Sequence, residues 1–216
     1  MPKIVAAILA RNEAAPDRYL NRVLQNCWDL CDDVVVVDDG STDETARMCR
    51  DSGAAVSQLG SVGGWWGSDE TTPRSHLWTL AAKSAGLDGW VYVADADHEL
   101  VGIDRRGLQV LCQADVVNAW AFPLWDCWDS DVTHRVDGYW QAWRHPRPWL
   151  VRAVPAAGWV AHWQTRDIHA GHLPANYPYL DCPAPTGVAI RHLGYVDRLH
   201  REAKAARYLA LEPVTL

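Results

Sequence analysis

The chain opens with a short apolar run, Lys3 to Ala10, that breaks at the polar Arg11-Asn12-Glu13. So brief a run reads as an interior strand ending in a loop. From Asp17 to Cys31 the apolar positions Leu20, Val23, Leu24, Cys27 and Leu30 recur at helical spacing, which predicts an amphipathic helix. Asp33 to Val37 is β-branched and apolar, in the manner of an interior parallel strand. Ser41-Thr42-Asp43-Glu44 matches a capping box with Ser41 as N-cap, and predicts a helix through Cys49.

The alternation continues. Ala54 to Leu59 predicts a short strand, and Gly60 to Thr72, rich in Gly, Ser and Trp, predicts a loop. Thr72 before Pro73 reads as N-cap and first helical residue of a helix whose stripe of Leu77, Leu80, Ala81 and Ser84 runs to Gly86. Trp90 to Ala94 is the next buried strand and leads straight into Asp95-Ala96-Asp97. Strands alternating with helices imply a parallel sheet with right-handed crossovers, whose ligands bind beyond the carboxyl ends of the strands. After about residue 115 the pattern stops: Asp115 to Leu124 and Trp149 to Val154 read as strands, and the stretch between them has no helical period. A final amphipathic helix is predicted from Asp197 to Leu211.

At 216 residues and 49% apolar, the chain is long enough for one domain with a C-terminal appendage. A net charge of −7, with no run of Lys or Arg, argues against nucleic acid or an acidic membrane as partner. The N-terminus lacks a signal-peptide pattern and no stretch approaches 18 apolar residues, which predicts a soluble, cytoplasmic protein with no integral membrane segment. Six cysteines without a CxxC pair disfavour zinc and redox motifs and predict free thiols. There are 13 Trp against one Phe, and eight of them lie between Trp120 and Trp163. Trp suits both core filling and stacking on the C–H faces of sugars, and core filling is the first expectation for most.

Asp95 and Asp97 stand one residue apart at a strand end, a spacing that can turn one carboxylate toward a ribose and the other toward a hard cation. Alone the pattern is weak, because such residues are ordinarily solvated turn residues and Asp129-Ser130-Asp131 repeats it. Its accompaniment changes the picture. Ile8-Leu9-Ala10-Arg11-Asn12-Glu13, then Val34 to Val37 leading into Asp38-Asp39-Gly40-Ser41-Thr42-Asp43, then Trp90 to Leu100 occur in that order. Together these motifs resemble glycosyltransferase family 2, whose fold is the nucleotide-diphospho-sugar transferase type called GT-A. The resemblance covers about the first 100 residues, and Trp140 to Tyr177 is similar to short transferases of some bacteriophages and actinobacteria.

The resemblance implies an α/β protein of the GT-A fold: a Rossmann-like, mostly parallel central sheet flanked by helices, with a Trp-rich acceptor region and a C-terminal helix. It implies a single domain over residues 1–216, with a nucleotide-sugar-binding half at 1–100, an acceptor-binding half at 115–196 and the helix at 197–211. The activity implied is a metal-dependent, inverting hexosyl-type glycosyltransferase. Its donor would be a nucleoside-diphosphate sugar, a UDP-sugar first and a GDP-sugar second, held with Mn²⁺ or Mg²⁺, and its acceptor a protein, glycan or lipid.

Residue by residue, the resemblance places the backbone near Leu9 and Arg11 and the side chains of Glu13 and Asp39 on the base and ribose. Asp95, Ala96 and Asp97 form the donor-binding turn, Asp97 and His192 hold the metal, and Arg74 faces the diphosphate. Plainer readings stand beside these: a capped turn at Asp38 to Ser41, a solvated Arg74, a partly buried His192. Trp65 and Trp66, between Gly63-Gly64 and Gly67, read as a lid. An inverting displacement needs a carboxylate base. Asp126, Asp129, Asp131, Asp137 and Asp167 are candidates, Asp137 first and Asp167 second, because Ile168-His169-Ala170-Gly171-His172 lacks the acidic residue that related enzymes carry after a late His. Two alternatives remain. A sugar nucleotidyltransferase would open on a Gly-rich phosphate loop where Arg11-Asn12-Glu13 stands, and a noncatalytic carbohydrate-binding protein would have no use for the retained Asp39, Asp95, Asp97 and His192. Without a P-loop or GxGxxG, an NTPase or dehydrogenase is disfavoured.

Overall fold

The computed structural model describes residues 1–60 and 64–211. Strand β1 (Ile4–Ala10) is followed by helix α1 (Leu20–Leu30), β2 (Asp33–Asp38), α2 (Thr45–Asp51), β3 (Ala55–Gln58), α3 (Thr71–Ala85) and β4 (Trp90–Asp95). Then come β5 (His98–Val101), α4 (Arg105–Cys112), β6 (Ala119–Phe122), β7 (Leu124–Asp126), β8 (Arg147–Arg152), β9 (Ala189–His192) and α5 (Arg198–Leu211). The central sheet has the order β3-β2-β1-β4-β8-β6, and its first four strands are parallel. The expected α/β architecture with a mostly parallel, Rossmann-like sheet is therefore observed. Strands β8 and β6 extend it in antiparallel fashion.

Burial follows the apolar pattern. Val34 to Val37 and Trp90 to Ala94 are buried along their length, as strands covered on both faces require. Helix α1 turns Leu20, Val23, Leu24, Cys27 and Leu30 inward, the stripe read from the sequence. Trp90 and Trp149 are among the largest fully buried side chains, and five of the six cysteines are buried free thiols.

Several local expectations are corrected. Ser41 is not a helix cap: its hydroxyl donates to Asp38 Oδ1 and accepts from the Asn12 amide, and α2 starts at Thr45, whose N–H bonds Asp43 Oδ1 at 3.0 Å. Nor does Thr72 cap α3. Helix α3 begins one residue earlier, and Asp69 accepts from both the amide and hydroxyl of Thr72. In both places an Asp outcompetes a hydroxyl because an ionised carboxylate is the stronger acceptor. The strand expected over Asp115 to Leu124 is broken at Pro123 into β6 and β7, which enter different sheets. Pro123 has no N–H for a ladder, and its carbonyl instead accepts from Ile190 N at 2.9 Å.

The second sheet, β5-β9-β7, was not foreseen. Strand β9 pairs antiparallel with β5 and parallel with β7, and the registers place His98 opposite His192 and His192 opposite Asp126. Directly opposed residues project from the same face, so three chemically active side chains form one row across this sheet.

Candidate functional site

The carboxyl ends of β1, β2 and β4 come together, and Leu9 stands in register with both Val37 and Asp95. Beyond β4 the chain turns through the buried Ala96 and returns as β5, so Asp95, Asp97 and His98 leave the turn together. The carbonyl of Asp97 accepts from Leu193 N at 2.8 Å, which ties the turn to the segment after β9.

Asp97 faces the row of the small sheet. Its Oδ2 lies 3.2 Å from His192 Nε2, and its Oδ1 lies 3.6 Å from His98 Nε2. His192 Nδ1 is 2.7 Å from Asp126 Oδ1. A carboxylate can only accept, so Nδ1 carries a proton; Nε2 lies between a second carboxylate, Asp97 Oδ2, and the Lys204 ammonium at 3.1 Å, which as a pure donor takes its lone pair when the ring is neutral. His98 is set the other way: its Nδ1 accepts from Asp95 N at 3.3 Å, which leaves the proton on Nε2, directed at Asp97. Burial pushes the His98 pKa down to about 3, so the ring stays neutral. His98 thus positions Asp97, while His192 Nε2 faces both Asp97 and Lys204. Burial alone would raise the Asp97 pKa, but His192 and then Lys204 outweigh it and hold the carboxyl well below the usual range. Glycine at 194 lets the Asp97 carboxylate keep this place, because a Cβ there would collide with Asp97 Oδ2 and stand 3.1 Å from His192 Nε2.

Asp95 forms a separate arrangement. Its Oδ1 accepts from Arg74 Nη1 at 2.7 Å and its Oδ2 lies 3.0 Å from His172 Nε2. Burial raises its pKa, but Arg74 and His172 override this and hold Asp95 well below the usual carboxylate range. Arg74 is buried between Asp95 and Glu70, whose Oε1 accepts from Arg74 Nη2 at 3.0 Å. It is not a solvated first-turn residue; its guanidinium is spent on two carboxylates. Glu70 Oε2 also accepts from Ala170 N at 3.0 Å, which lays the segment carrying His172 against the start of α3.

At the ends of β1 and β2, Asp39 is buried and accepts from Trp65 N at 2.8 Å and Trp66 N at 3.1 Å. Burial raises the Asp39 pKa against these two amides and Arg11. Gly64 sits with positive φ directly against Asp39 and Arg11 Nη1, where no side chain fits. Gly63 of the expected lid lies outside the described residues. Glu13, its amide held by Thr45 Oγ1 at 2.7 Å, has its carboxyl pushed up to about 7 by burial, despite Arg18.

The candidate bases are scattered. Asp137 is exposed and gripped by Arg135, which lowers its pKa and makes it a poor base. Asp167 is exposed on the segment whose carbonyls receive Gly67 N and Glu70 N. Among the described residues, no contact joins either side chain to Asp95 or Asp97. The second Asp-x-Asp is spent on ion pairs, Asp129 with Arg201 at 2.7 Å and Asp131 with Arg22 at 3.1 Å. Sequence reasoning gave no role to His98, His172 or Glu70, noted Lys204 only as part of a C-terminal helix that fits the family pattern, and weighed Asp126 only as a base. His98 adjoins Asp97 in the motif itself and Glu70 stands four residues before Arg74, and these were the available signals; Asp126 depends on the small sheet, Lys204 on α5 and His172 on the loop that Glu70 holds.

No family model matches the chain. A Rickettsia felis protein named an uncharacterized glycosyltransferase is 34% identical over 103 residues, 46% of this chain and 30% of that one. A Synechococcus elongatus protein described as TPR repeat-containing is 29% identical over 101 residues, 47% of this chain and 22% of that one. Among solved structures, Staphylococcus aureus TarS is similar over 62% of this chain and 23% of its own, with 21% identity and a TM-score of 0.44. Glucosyl-3-phosphoglycerate synthase from Mycobacterium tuberculosis, solved with Mn²⁺ and UDP-glucose, is similar over 57% and 44%, with 21% identity and a TM-score of 0.38. The chain therefore spans less than a third of the curated relatives it matches, one of which bears the name glycosyltransferase.

Proposed function

We propose that the chain is a metal-dependent glycosyltransferase that binds a nucleoside-diphosphate sugar at the ends of β1, β2 and β4 and transfers the sugar to an acceptor hydroxyl. One observation carries the reading: the Asp97 carboxylate and Nε2 of His192 converge to 3.2 Å, with His192 fixed from behind by Asp126. A carboxylate oxygen and an imidazole nitrogen brought this close make a donor set that suits Mn²⁺ or Mg²⁺. A carboxylate behind a ligating imidazole is the usual device for fixing its tautomer. When bound, the ion would neutralise charge growing on the departing diphosphate.

The chain's own groups then divide the work. Glu13 and Asp39, with the backbone near Leu9 and Arg11, would hold base and ribose; Asp39 has lone pairs beyond those its two amide partners use. Asp95, fixed by Arg74 and His172, would meet donor hydroxyls. In this reading Arg74 neutralises Asp95 and Glu70 rather than reaching the diphosphate. Residues 1–100 form the donor half, 115–196 the acceptor half and 197–211 the closing helix of one unit. A UDP-sugar is the first choice of donor and a protein, glycan or lipid the acceptor. For an inverting displacement Asp167 becomes the first choice of base, since its segment leads to His172 and Asp137 is committed to Arg135. The Rickettsia relative's name points the same way.

The test is thermal stabilisation by Mn²⁺ with a panel of UDP-, GDP- and dTDP-sugars, followed by assay of donor hydrolysis. Stabilisation by one nucleotide with Mn²⁺ is expected, and its loss in Asp97→Ala. Equal stabilisation of both proteins would overturn the reading.

A further inference from the structure

The site already contains a cation. Lys204 Nζ lies 3.1 Å from His192 Nε2 and 4.0 Å from Asp97 Oδ2, and stands over the Tyr195 ring at 4.4 Å from its centroid. Its side chain is 18% exposed, whereas Arg198, six residues earlier on the same helix, is 81% exposed. An ammonium has three donors and no acceptor, so the contact with Nε2 consumes the one in-plane lone pair that a neutral imidazole with a protonated Nδ1 possesses. A divalent ion held by His192 would need that same lone pair. Lys204 and the ion cannot both have it.

We propose that Lys204 is the counter-cation of the Asp97–His192 pair, and that a divalent ion binds by exchange with this ammonium rather than by addition to an open site. The inference rests on the metal reading above. Exchange explains why a deeply placed carboxylate and a facing lone pair are tolerated together: Lys204 supplies the positive charge that each needs, with the Tyr195 face as a third side of its cage. It also makes metal affinity a property of the C-terminal helix. Helix α5 is held by Arg201, which bonds the Tyr195 carbonyl at 2.6 Å and Asp129 at 2.7 Å, and by His200, 2.8 Å from Asp17. Farther along, Tyr208 stacks on His169 and meets Trp66 edge-on. Those contacts keep Lys204 over the site, so part of the free energy of metal binding is spent in displacing it.

The experiment is calorimetric titration of Mn²⁺ alone, without nucleotide, into the full chain as wild type, Lys204→Met and Lys204→Arg. Met keeps the length and apolar stem of Lys but neither competes for Nε2 nor repels the ion, so the Met variant is expected to bind Mn²⁺ about tenfold more tightly or better. The Arg variant, which restores a cation with donors only, is expected to stay within about threefold of wild type. Tighter binding cannot come from a folding defect. Equal or weaker binding by Lys204→Met, or an Arg variant as tight as Met, would overturn the exchange while leaving the metal reading in place. Failure of all three to bind Mn²⁺ would overturn the metal reading itself.

Discussion

Asp126 Oδ1 and His192 Nδ1 lie 2.7 Å apart because β7 and β9 pair in a register that sets these two residues directly opposite each other. The contact fixes the imidazole tautomer and turns Nε2 toward Asp97. In Asp126→Ala the ring loses that constraint, and Mn²⁺ affinity should fall by about 10- to 100-fold. Asp126→Asn keeps an acceptor oxygen for Nδ1–H and should lose less. Calorimetry on the two variants checks this; identical affinities would mean that His192 is oriented by something else.

Gly194 tests how closely the same site is built. Substitution by Ala puts a methyl group against Asp97 Oδ2 and His192 Nε2, so the carboxylate must rotate away. Loss of Mn²⁺-dependent stabilisation is expected, with a change of only about 1–3 kcal/mol in metal-free stability, the usual cost of overpacking. A variant that still gains stability from Mn²⁺ as the wild type does would show that Asp97 is not a ligand.

Much of this was legible in the chain, and the division follows the range of the interactions. The strands Lys3–Ala10, Asp33–Val37 and Trp90–Ala94 and the stripe of α1 are local patterns, and each became the expected element. Asp95 and Asp97 were visible for the same reason: they end a buried strand. The capping errors at Ser41 and Thr72 came from ranking a hydroxyl above a neighbouring carboxylate. The row of His98, His192 and Asp126 was hidden because it is made by register between strands far apart in sequence. Periodicity within short β5, β7 and β9 carries no information about which partner each will choose. Lys204 was hidden for a like reason, since only the docking of α5 brings its ammonium to Nε2.

Arg74 is predicted to matter for folding before it matters for ligand. It is the shared counter-ion of Glu70 and Asp95, both in contact with it at 2.7–3.2 Å. Arg74→Met would leave two carboxylates near each other with their cation removed, a loss of about 3–5 kcal/mol. Urea denaturation at neutral pH measures it, and Arg74→Lys should recover part of the loss. A difference below about 1 kcal/mol would mean that water, rather than Arg74, solvates the pair.

Glu13 gives the clearest dependence on pH. Burial pushes its carboxyl from an ordinary value of 4.5 up to about 7, partly offset by Arg18 at 3.9 Å. A carboxyl whose pKa is higher in the folded state favours folding when protonated. Its contribution is fully present below pH 4.5 and is lost as the pH rises through about 7. Between those limits the wild type should lose up to about 3 kcal/mol relative to Glu13→Gln, an uncharged isostere that has no proton to release. Other titrating groups contribute equally to both proteins, so the difference between the two stability curves isolates Glu13. Urea unfolding at half-unit steps from pH 4 to 8 provides those curves. Parallel curves would show that water reaches the Glu13 carboxylate and that the site beside Arg11 is wet; a gap that opens with rising pH would place a nearly neutral carboxyl, able both to donate and to accept, where the base and ribose are proposed to bind.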